Sequence, residues 1–253
     1  MKRLSGKMIK YELLNTAYNG YAFFFGLVFP CAMLYLLTQF TMAAVPDVAK
    51  EPVYTSVFLG MSTIIPMTVG LMSYAASSAN EEEKNVPIRL TLYGISPRTQ
   101  LAAKVIANVF FLFLCEALYF AFSMMVVEIP MGQGWALPVF ILMTLVFAIS
   151  LMMMAQGIVG IFRQFGIVYG IVMGLYFVLL ALSGYMGVQV SDLPKALQIF
   201  SDYLPSKHFG NGFESFWLGG TYDFSACIRA HVIFFVLSAL IFVFRVRHRG
   251  RRA

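Results

Sequence analysis

The densest group of charged side chains in this sequence lies in residues 80–104, NEEEKNVPIRLTLYGISPRTQLAAK. These 25 residues hold seven of the chain's 30 charged side chains (18 Lys and Arg, 12 Asp and Glu). Three consecutive acids are followed directly by Lys84 and soon afterwards by Arg89. No nucleophile–base pair or metal-ligand run accompanies them, so the pattern does not indicate catalysis.

Residues that carry catalysis or bind metals form no known arrangement in this sequence. The phosphate-binding pattern GxxxxGK[ST] is missing, because Gly6-Lys7-Met8 lacks both the upstream glycine and the final hydroxyl residue. No HExxH run is present, and the histidines and cysteines are scattered along the chain: His208, His231, His248, Cys31, Cys115 and Cys227. We therefore predict that the chain is not an enzyme, has no metal site and binds no cofactor itself.

One acid, Glu116, stands apart because it lies inside a long apolar stretch. A carboxylate within a membrane is costly and is by default a candidate functional group. Two interpretations follow from its position. Glu116 is either a proton-coupling group of a carrier that works alone, or a protonated or hydrogen-bonded acid that faces the polar interior of a helix bundle.

The rest of the chain is apolar enough to cross a membrane several times. Of its 253 residues, 60% are hydrophobic and 12% are charged, about half the charged fraction of a soluble domain. Uncharged runs such as residues 13–46 and 129–162 exceed the roughly 20 residues that a spanning helix needs. We predict an all-α polytopic membrane protein, residues 1–253 forming one transmembrane domain with six helices at residues 21–41, 53–79, 97–127, 135–162, 164–187 and 223–244.

The residues before the first span, 2–19, have the pattern of a helix that lies along the membrane surface. The apolar and aromatic side chains share one helical face and the lysines fall largely elsewhere. The alternative is a solvated basic tail. The residues on the apolar face are Leu4, Met8, Tyr11, Leu14 and Tyr18.

Turn and capping residues predict a short helix within the polar stretch. Asn85 can cap it, Pro87 suits its first turn, and Gly94 can end it. Ser96-Pro97 then repeats the start signal for span three. We therefore predict a short helix within residues 80–96 that turns directly into a long span; the family resemblance described below implies that it is a cytoplasmic coupling helix.

Small residues recur on one face of two predicted spans. In span two this pattern indicates close helix packing or, alternatively, the lining of a substrate path. In span five it indicates a homodimer seam or packing within one chain. The residues are Ser62, Pro66, Gly70 and Ser73 in span two, and Gly166, Gly170 and Gly174 in span five.

Lys and Arg residues are distributed unequally between the two predicted sides. With both termini and the loops after spans two and four on one side, that side carries 14 of them and the other side four. The positive-inside rule then places both termini and residues 80–96 in the cytoplasm, with residues 188–222 outside a plasma membrane. This placement in the bilayer also explains the net charge of +6 without a nucleic-acid partner.

The order of these features resembles the permease subunits of ABC-2 type transporters. The most specific block is residues 82–104, where acids precede a short helix, a Ser-Pro-Arg step and a lysine that opens span three. Many members carry a Gly-Thr pair after the acids, and this chain has Ile88-Arg89 near that place, which leaves the subfamily open. Further matches at the end of span five and beyond it are Ser183-Gly184, Leu193-Pro194 and Leu204-Pro205.

The resemblance implies a half-transporter that forms a homodimer, or a heterodimer with a related permease, in the lipid bilayer. A separate ABC ATP-binding subunit would hold ATP and Mg and drive export of a hydrophobic or amphipathic compound: a drug, antibiotic, peptide or lipid. The alternative is a stand-alone secondary carrier or channel that uses Glu116. In the resemblance, the residues that contact the ATP-binding subunit are Glu81, Glu82, Glu83, Lys84, Arg89, Leu92 and Tyr93.

Overall fold

The computed structural model describes residues 4–42, 47–185, 190–210 and 212–250, and within these ranges the chain is helical and contains no strand. Six helices in these ranges are long and apolar enough to cross a membrane. The predicted all-α fold with six spans is therefore confirmed. We number the spans one to six: Gly20–Phe40, Lys50–Glu83, Pro97–Val126, Ala136–Phe162, Phe165–Leu182 and Phe224–Arg245.

Span two is longer than the predicted 53–79, because its helix continues through the three acids to Glu83. It is also the central helix of the bundle. In its most apolar 18-residue segment 89% is buried within the chain, against 50% or less in each of the other five spans. A displacement at either end of span two would therefore also displace the helices that pack against it.

The middle of span two is not a regular α-helix. Pro66 has no N–H group and its ring clashes with the preceding turn, so the α-helical bond pattern cannot pass through it. A π-helical segment, Met67–Ser73, follows directly. About one turn earlier, the hydroxyls of Ser62 and Thr63 donate to carbonyls of their own helix, at 2.6 and 2.7 Å. These features place an irregular segment at the centre of the most buried span.

Span four packs closely on both span two and span six through glycines. A Cβ atom built on Gly70 of span two would lie 3.2 Å from the carbonyl oxygen of Ala148. A Cβ atom on Gly157 of span four would lie 2.6 Å from Cγ2 of Ile241 in span six. Glycine at these positions lets the helices approach more closely than any larger residue would allow.

Shorter helices cover both ends of the bundle. The N-terminal helix, Gly6–Ala17, packs against the start of span three. Spans two and three are joined by a short helix, Val86–Leu92, which we call the connector helix, and we call this end of the bundle the connector end. The far end carries the helices Lys195–Asp202, Lys207–Gly210 and Phe213–Trp217 between spans five and six.

Candidate functional site

The connector helix begins and ends at residues with left-handed backbone conformation. Asn85, directly before the helix, has φ 54°, and its side chain makes no capping hydrogen bond. The predicted side-chain cap is therefore wrong: Asn85 reverses the chain after span two, a conformation that Asn adopts more readily than most residues. Gly94 has φ 83° and ends the helix, and the N–H group of Ile95 donates to the carbonyl oxygen of Leu90 at 3.1 Å.

The connector helix presents apolar side chains to the outside of the chain. Leu92 is 83% exposed, Tyr93 72% and Ile88 59%. Arg89 is exposed too, and its guanidinium donates to the carbonyl oxygen of Lys84 at 3.2 Å, which holds the turn together. Large apolar side chains grouped at an exposed tip are typical of a protein-docking surface.

The three acids before the connector helix point in a different direction, into the chain. Glu81 accepts from the Lys104 ammonium at 2.5 Å and from the Asn15 amide at 3.1 Å. The other two reach more distant parts of the sequence. Glu82 lies 3.4 Å from a guanidinium nitrogen of Arg245 in span six, and Glu83 accepts from the Phe165 N–H group at the start of span five at 3.0 Å. The end of span two thereby contacts the N-terminal helix and spans three, five and six.

The structure thus does not gather the seven predicted contact residues on one surface. The side chains of Glu81 and Glu82 are only 17% and 11% exposed, because they pair with the rest of the bundle. Leu92 and Tyr93, in contrast, are free to meet a partner. Lys104 and Arg245 complete the buried charge cluster. Sequence reasoning identified Lys104 only as the lysine that opens span three, and it did not single out Arg245.

Polar side chains extend the cluster towards span four. The Lys104 ammonium also donates to the Ser78 hydroxyl at 3.3 Å. Gln156, with its amide oriented to suit both neighbours, donates to the Tyr74 hydroxyl at 2.9 Å and accepts from Arg245 at 2.6 Å. Hydrogen bonds of this kind are what make buried charges tolerable.

Glu12 of the N-terminal helix also belongs to this cluster. It is 4% exposed, and among the described residues its carboxyl group has no hydrogen-bond or ion-pair partner. Burial raises the pKa of Glu12 to about 7; nearby Lys104 acts against this rise and Glu81 adds to it. The sequence offered no local signal that this acid would be buried.

A cavity of about 540 Å³, which we call the connector cavity, lies among these groups. Its walls come from the N-terminal helix, the connector helix and spans two, three, four and six. Charged and apolar side chains both line it. The charged ones include Glu12, Glu81, Lys104 and Arg245, and the apolar ones include Leu90, Leu101 and Phe242.

A larger cavity of about 860 Å³, the far-end cavity, lies between spans one, two and five and the loop helices. Its polar groups are largely satisfied: the Ser56 hydroxyl donates to the Gly210 carbonyl at 2.7 Å, and the Tyr185 hydroxyl to the Ser206 carbonyl at 2.6 Å. The remaining lining is mostly apolar and includes Phe29, Met33, Met61 and Phe177. The predicted small residues of span two do not line it: they are buried against neighbouring helices.

The glycine ridge of span five is uncovered. Gly166, Gly170 and Gly174 are all exposed, and a Cβ atom built on any of them meets nothing within 4 Å in the described part of the chain. Contacts within one chain, as far as it is described, therefore do not account for this ridge.

Glu116 is buried in span three, with 5% of its surface exposed. Neither carboxyl oxygen has a hydrogen-bond partner in the described ranges. The neighbouring Tyr119 hydroxyl is already used, since it donates to the Phe58 carbonyl at 3.0 Å. Glu116 lines neither of the two cavities.

Comparisons with known proteins agree with this architecture. A family model described as "ABC-2 family transporter protein" matches residues 38–244. The chain is also 25% identical, over 213 residues, to a protein of Bacillus subtilis (strain 168) named "Putative transport permease YvfS". That alignment covers 83% of this chain and 84% of the relative.

Proposed function

This chain belongs to the ABC-2 family of transporter proteins, and we propose that it is the permease subunit of an exporter driven by a separate ATP-binding subunit. The observation that carries the proposal is the apolar tip of the connector helix, which is exposed next to a buried charge cluster. In this proposal the tip docks on the ATP-binding subunit, and ATP and Mg are held there rather than by this chain.

Movement of the connector helix would be passed on to span three. The Gln100 side chain donates to the Pro87 carbonyl at 3.2 Å and to the Ile95 carbonyl at 3.0 Å, which ties the connector helix to the start of that span. The first turn of the span is capped, because the Ser96 hydroxyl accepts from the Thr99 N–H group at 3.1 Å. A capped helix of 30 residues, Pro97–Val126, is a stiff element that can act as a lever.

The same movement would reach the other spans through span two. Its last turn is bonded to the N-terminal helix and spans three, five and six, as described above. The irregular segment after Pro66 supplies a place where the central helix could bend. We propose that the movement of the ATP-binding subunit during ATP hydrolysis changes access to a pathway between spans two and five.

The far-end cavity supports the proposed class of substrate. Its volume of about 860 Å³ is in the range of small-molecule sites, roughly 300–1,000 Å³. Because Phe29, Met33, Met61 and Phe177 contribute to its lining and the polar groups around it are already paired, it favours a hydrophobic or amphipathic compound. A drug, antibiotic, peptide or lipid fits this description, and export is the proposed direction.

The assembly would place two permeases side by side. The exposed ridge of Gly166, Gly170 and Gly174 supports a seam between span five and a second permease, either a copy of this chain or a related one. We propose a plasma-membrane location with both termini and the connector end in the cytoplasm, which follows from the distribution of Lys and Arg.

The direct test is expression of this chain alone and together with the ATP-binding subunit encoded beside it. We expect co-purification of the pair, and ATP-dependent export of a hydrophobic compound from vesicles that hold both proteins. Vesicles with either protein alone should show no such export. Export by this chain alone, without ATP, would overturn the proposal.

A second candidate function rests on Glu116, whose buried carboxyl oxygens have no partner among the described residues. In this alternative the chain is a secondary carrier or channel, and Glu116 takes up and releases the coupling proton. It predicts solute movement driven by a proton gradient without ATP, and loss of that movement in Glu116→Gln. An ATP-driven exporter would instead transport at an unchanged rate when the proton gradient is collapsed.

A further inference from the structure

One buried acid of the connector cavity, Glu12, has no hydrogen-bond or ion-pair partner for its carboxyl group among the described residues. Lys104 and Arg245 are buried cations of the wall, and each pairs with another acid: Glu81 at 2.5 Å and Glu82 at 3.4 Å. Of the three buried acids that the described residues contribute to the wall, Glu12 is thus the one without a cation of its own.

The other charged groups near Glu12 do not form an ion pair with it. Lys104 and Glu81 act on Glu12 electrostatically with opposite signs, and they neutralise each other in their own ion pair. Arg98 is the remaining charged residue of the lining, and it is exposed at the rim, where water screens it. A buried carboxylate without a partner is costly, and a bound cation would remove that cost.

Apolar side chains also line the cavity. They come from the connector helix (Pro87 and Leu90), span three (Leu101) and span six (Phe242). At about 540 Å³ the cavity is large enough for a small organic molecule, since ligand sites commonly measure roughly 300–1,000 Å³. A bare metal ion would make no favourable contact with these apolar side chains.

We propose that the connector cavity binds an amphipathic monocation, whose primary ammonium group pairs with the Glu12 carboxylate and whose apolar body lies against Leu90, Leu101 and Phe242. An anion is disfavoured, because Lys104 and Arg245 already pair with acids and the Glu12 carboxylate would repel it. This site is separate from the far-end cavity, and its occupation requires neither ATP nor a partner subunit. The ammonium could belong to a membrane lipid headgroup or to a free alkylamine.

Binding of dodecylamine to the full chain in phosphatidylcholine nanodiscs tests this site. Dodecylamine carries one ammonium group and a flexible apolar chain, and phosphatidylcholine contains no primary amine. Equilibrium dialysis of labelled dodecylamine against loaded and empty nanodiscs separates saturable binding from partition into lipid. At pH 8 we expect one saturable site per chain, and no saturable binding of dodecanol, which lacks the charge.

The matched variants are Glu12→Gln and Glu128→Gln, which make the same change at a buried and at an exposed acid. We expect Glu12→Gln to weaken saturable binding about tenfold or more, and Glu128→Gln to leave it unchanged. Leu101→Trp, which fills space among the apolar side chains and keeps Glu12, should also abolish binding. Because the pKa of Glu12 is about 7, wild-type binding should weaken about tenfold between pH 8 and pH 6.

Saturable binding that is the same in Glu12→Gln and in the wild type would overturn the proposal, as would equal binding of dodecanol. Proton uptake by Glu12 without any saturable amine site would overturn it too. If Glu12→Gln does not fold, as judged by size-exclusion chromatography, unchanged binding in Leu101→Trp overturns the proposal on its own. With binding established, phosphatidylethanolamine in the nanodisc identifies the source: competition assigns the site to the lipid headgroup, and no competition assigns it to a free amine.

Discussion

The last turn of span two and the connector helix are separated by only two residues, Lys84 and Asn85, yet they face opposite environments. Glu81 and Glu82 of the last turn point inward and pair with Lys104 and Arg245. Ile88, Leu92 and Tyr93, in and directly after the connector helix, point outward. This is the reverse of the arrangement expected for a polar loop on a membrane protein.

The difference assigns two functions, holding the helices together and binding a partner, to separate parts of the polar stretch 80–104. Buried ion pairs hold the ends of several helices together, so their loss is expected to affect folding. The exposed tip at Leu92 and Tyr93 contributes little to the fold, so its loss is expected to affect binding. If the comparison is correct, substitutions in the last turn of span two will change stability, whereas substitutions at the tip of the connector helix will change partner binding.

The largest expected effect is on stability, in Lys104→Met. Removing the ammonium leaves Glu81 buried without its ion-pair partner, and breaking a buried ion pair typically costs about 3–5 kcal/mol. Unfolding titrations in mixed detergent–SDS micelles measure this loss. The control is Lys84→Met, the same change at an exposed lysine, for which a change within about 0.5 kcal/mol is expected. Equal losses in both variants would break the distinction between the two regions.

The next largest effect is on partner binding, in Leu92→Asp. A central apolar contact residue typically contributes about 2 kcal/mol or more, so affinity for the ATP-binding subunit should fall about thirtyfold, with the free energy of unfolding nearly unchanged. The control is Ile199→Asp, at an exposed apolar residue of the far end. Pull-down titrations of the two proteins provide the measurement. Normal binding by Leu92→Asp would show that the tip is not the docking surface.

Most of the helices in this comparison could be predicted from the sequence, because their positions depend on local patterns. Long apolar runs identified the six spans, and the Ser96-Pro97 start signal located the beginning of span three, where the hydroxyl does cap the helix. A short helix within residues 80–96 followed from its turn residues.

The inward direction of the acids could not be predicted, because it depends on residues far away in the sequence. Arg245 lies 163 positions from Glu82, and only the packing of span six on span four brings it near. That packing depends on Gly157 and Gly160, where a Cβ atom would clash with span six. Glu12 was missed for the same reason: nothing local distinguishes a buried acid from an exposed one on a helix with few charges.

A third, smaller effect concerns pH and the attachment of the N-terminal helix to the buried cluster. The folded-state pKa of Glu12, about 7, is above its ordinary value of 4.5, so the folded chain binds the proton more tightly than the unfolded chain. Stability should therefore rise as the pH falls from about 7 towards 4.5, by about 1–3 kcal/mol from this residue. In Glu12→Gln that contribution should be absent. Protection of the N-terminal helix from protease at pH 5.5 and pH 8 measures it, and identical pH profiles for both proteins would contradict it.

The smallest effect is expected at the joint between the two regions, in Ser96→Ala. The Ser96 hydroxyl accepts from the Thr99 N–H group at 3.1 Å, and loss of such a cap costs about 1 kcal/mol. Hydrogen exchange in the first turn of span three should accelerate about fivefold, and Ser96→Asp should restore protection, since Asp is an equally good cap.

Ser5→Ala is the matched control for this variant, because Ser5 precedes the N-terminal helix in the same position but its side chain makes no capping bond. Exchange in the N-terminal helix should therefore be unchanged. The proposed lever adds a second consequence: Ser96→Ala should lower the transport obtained per ATP hydrolysed while partner binding stays normal, because the tip is intact and only its connection to span three is loosened. If exchange accelerates but transport per ATP does not change, the first turn of span three is not the route by which movement of the connector helix reaches the membrane.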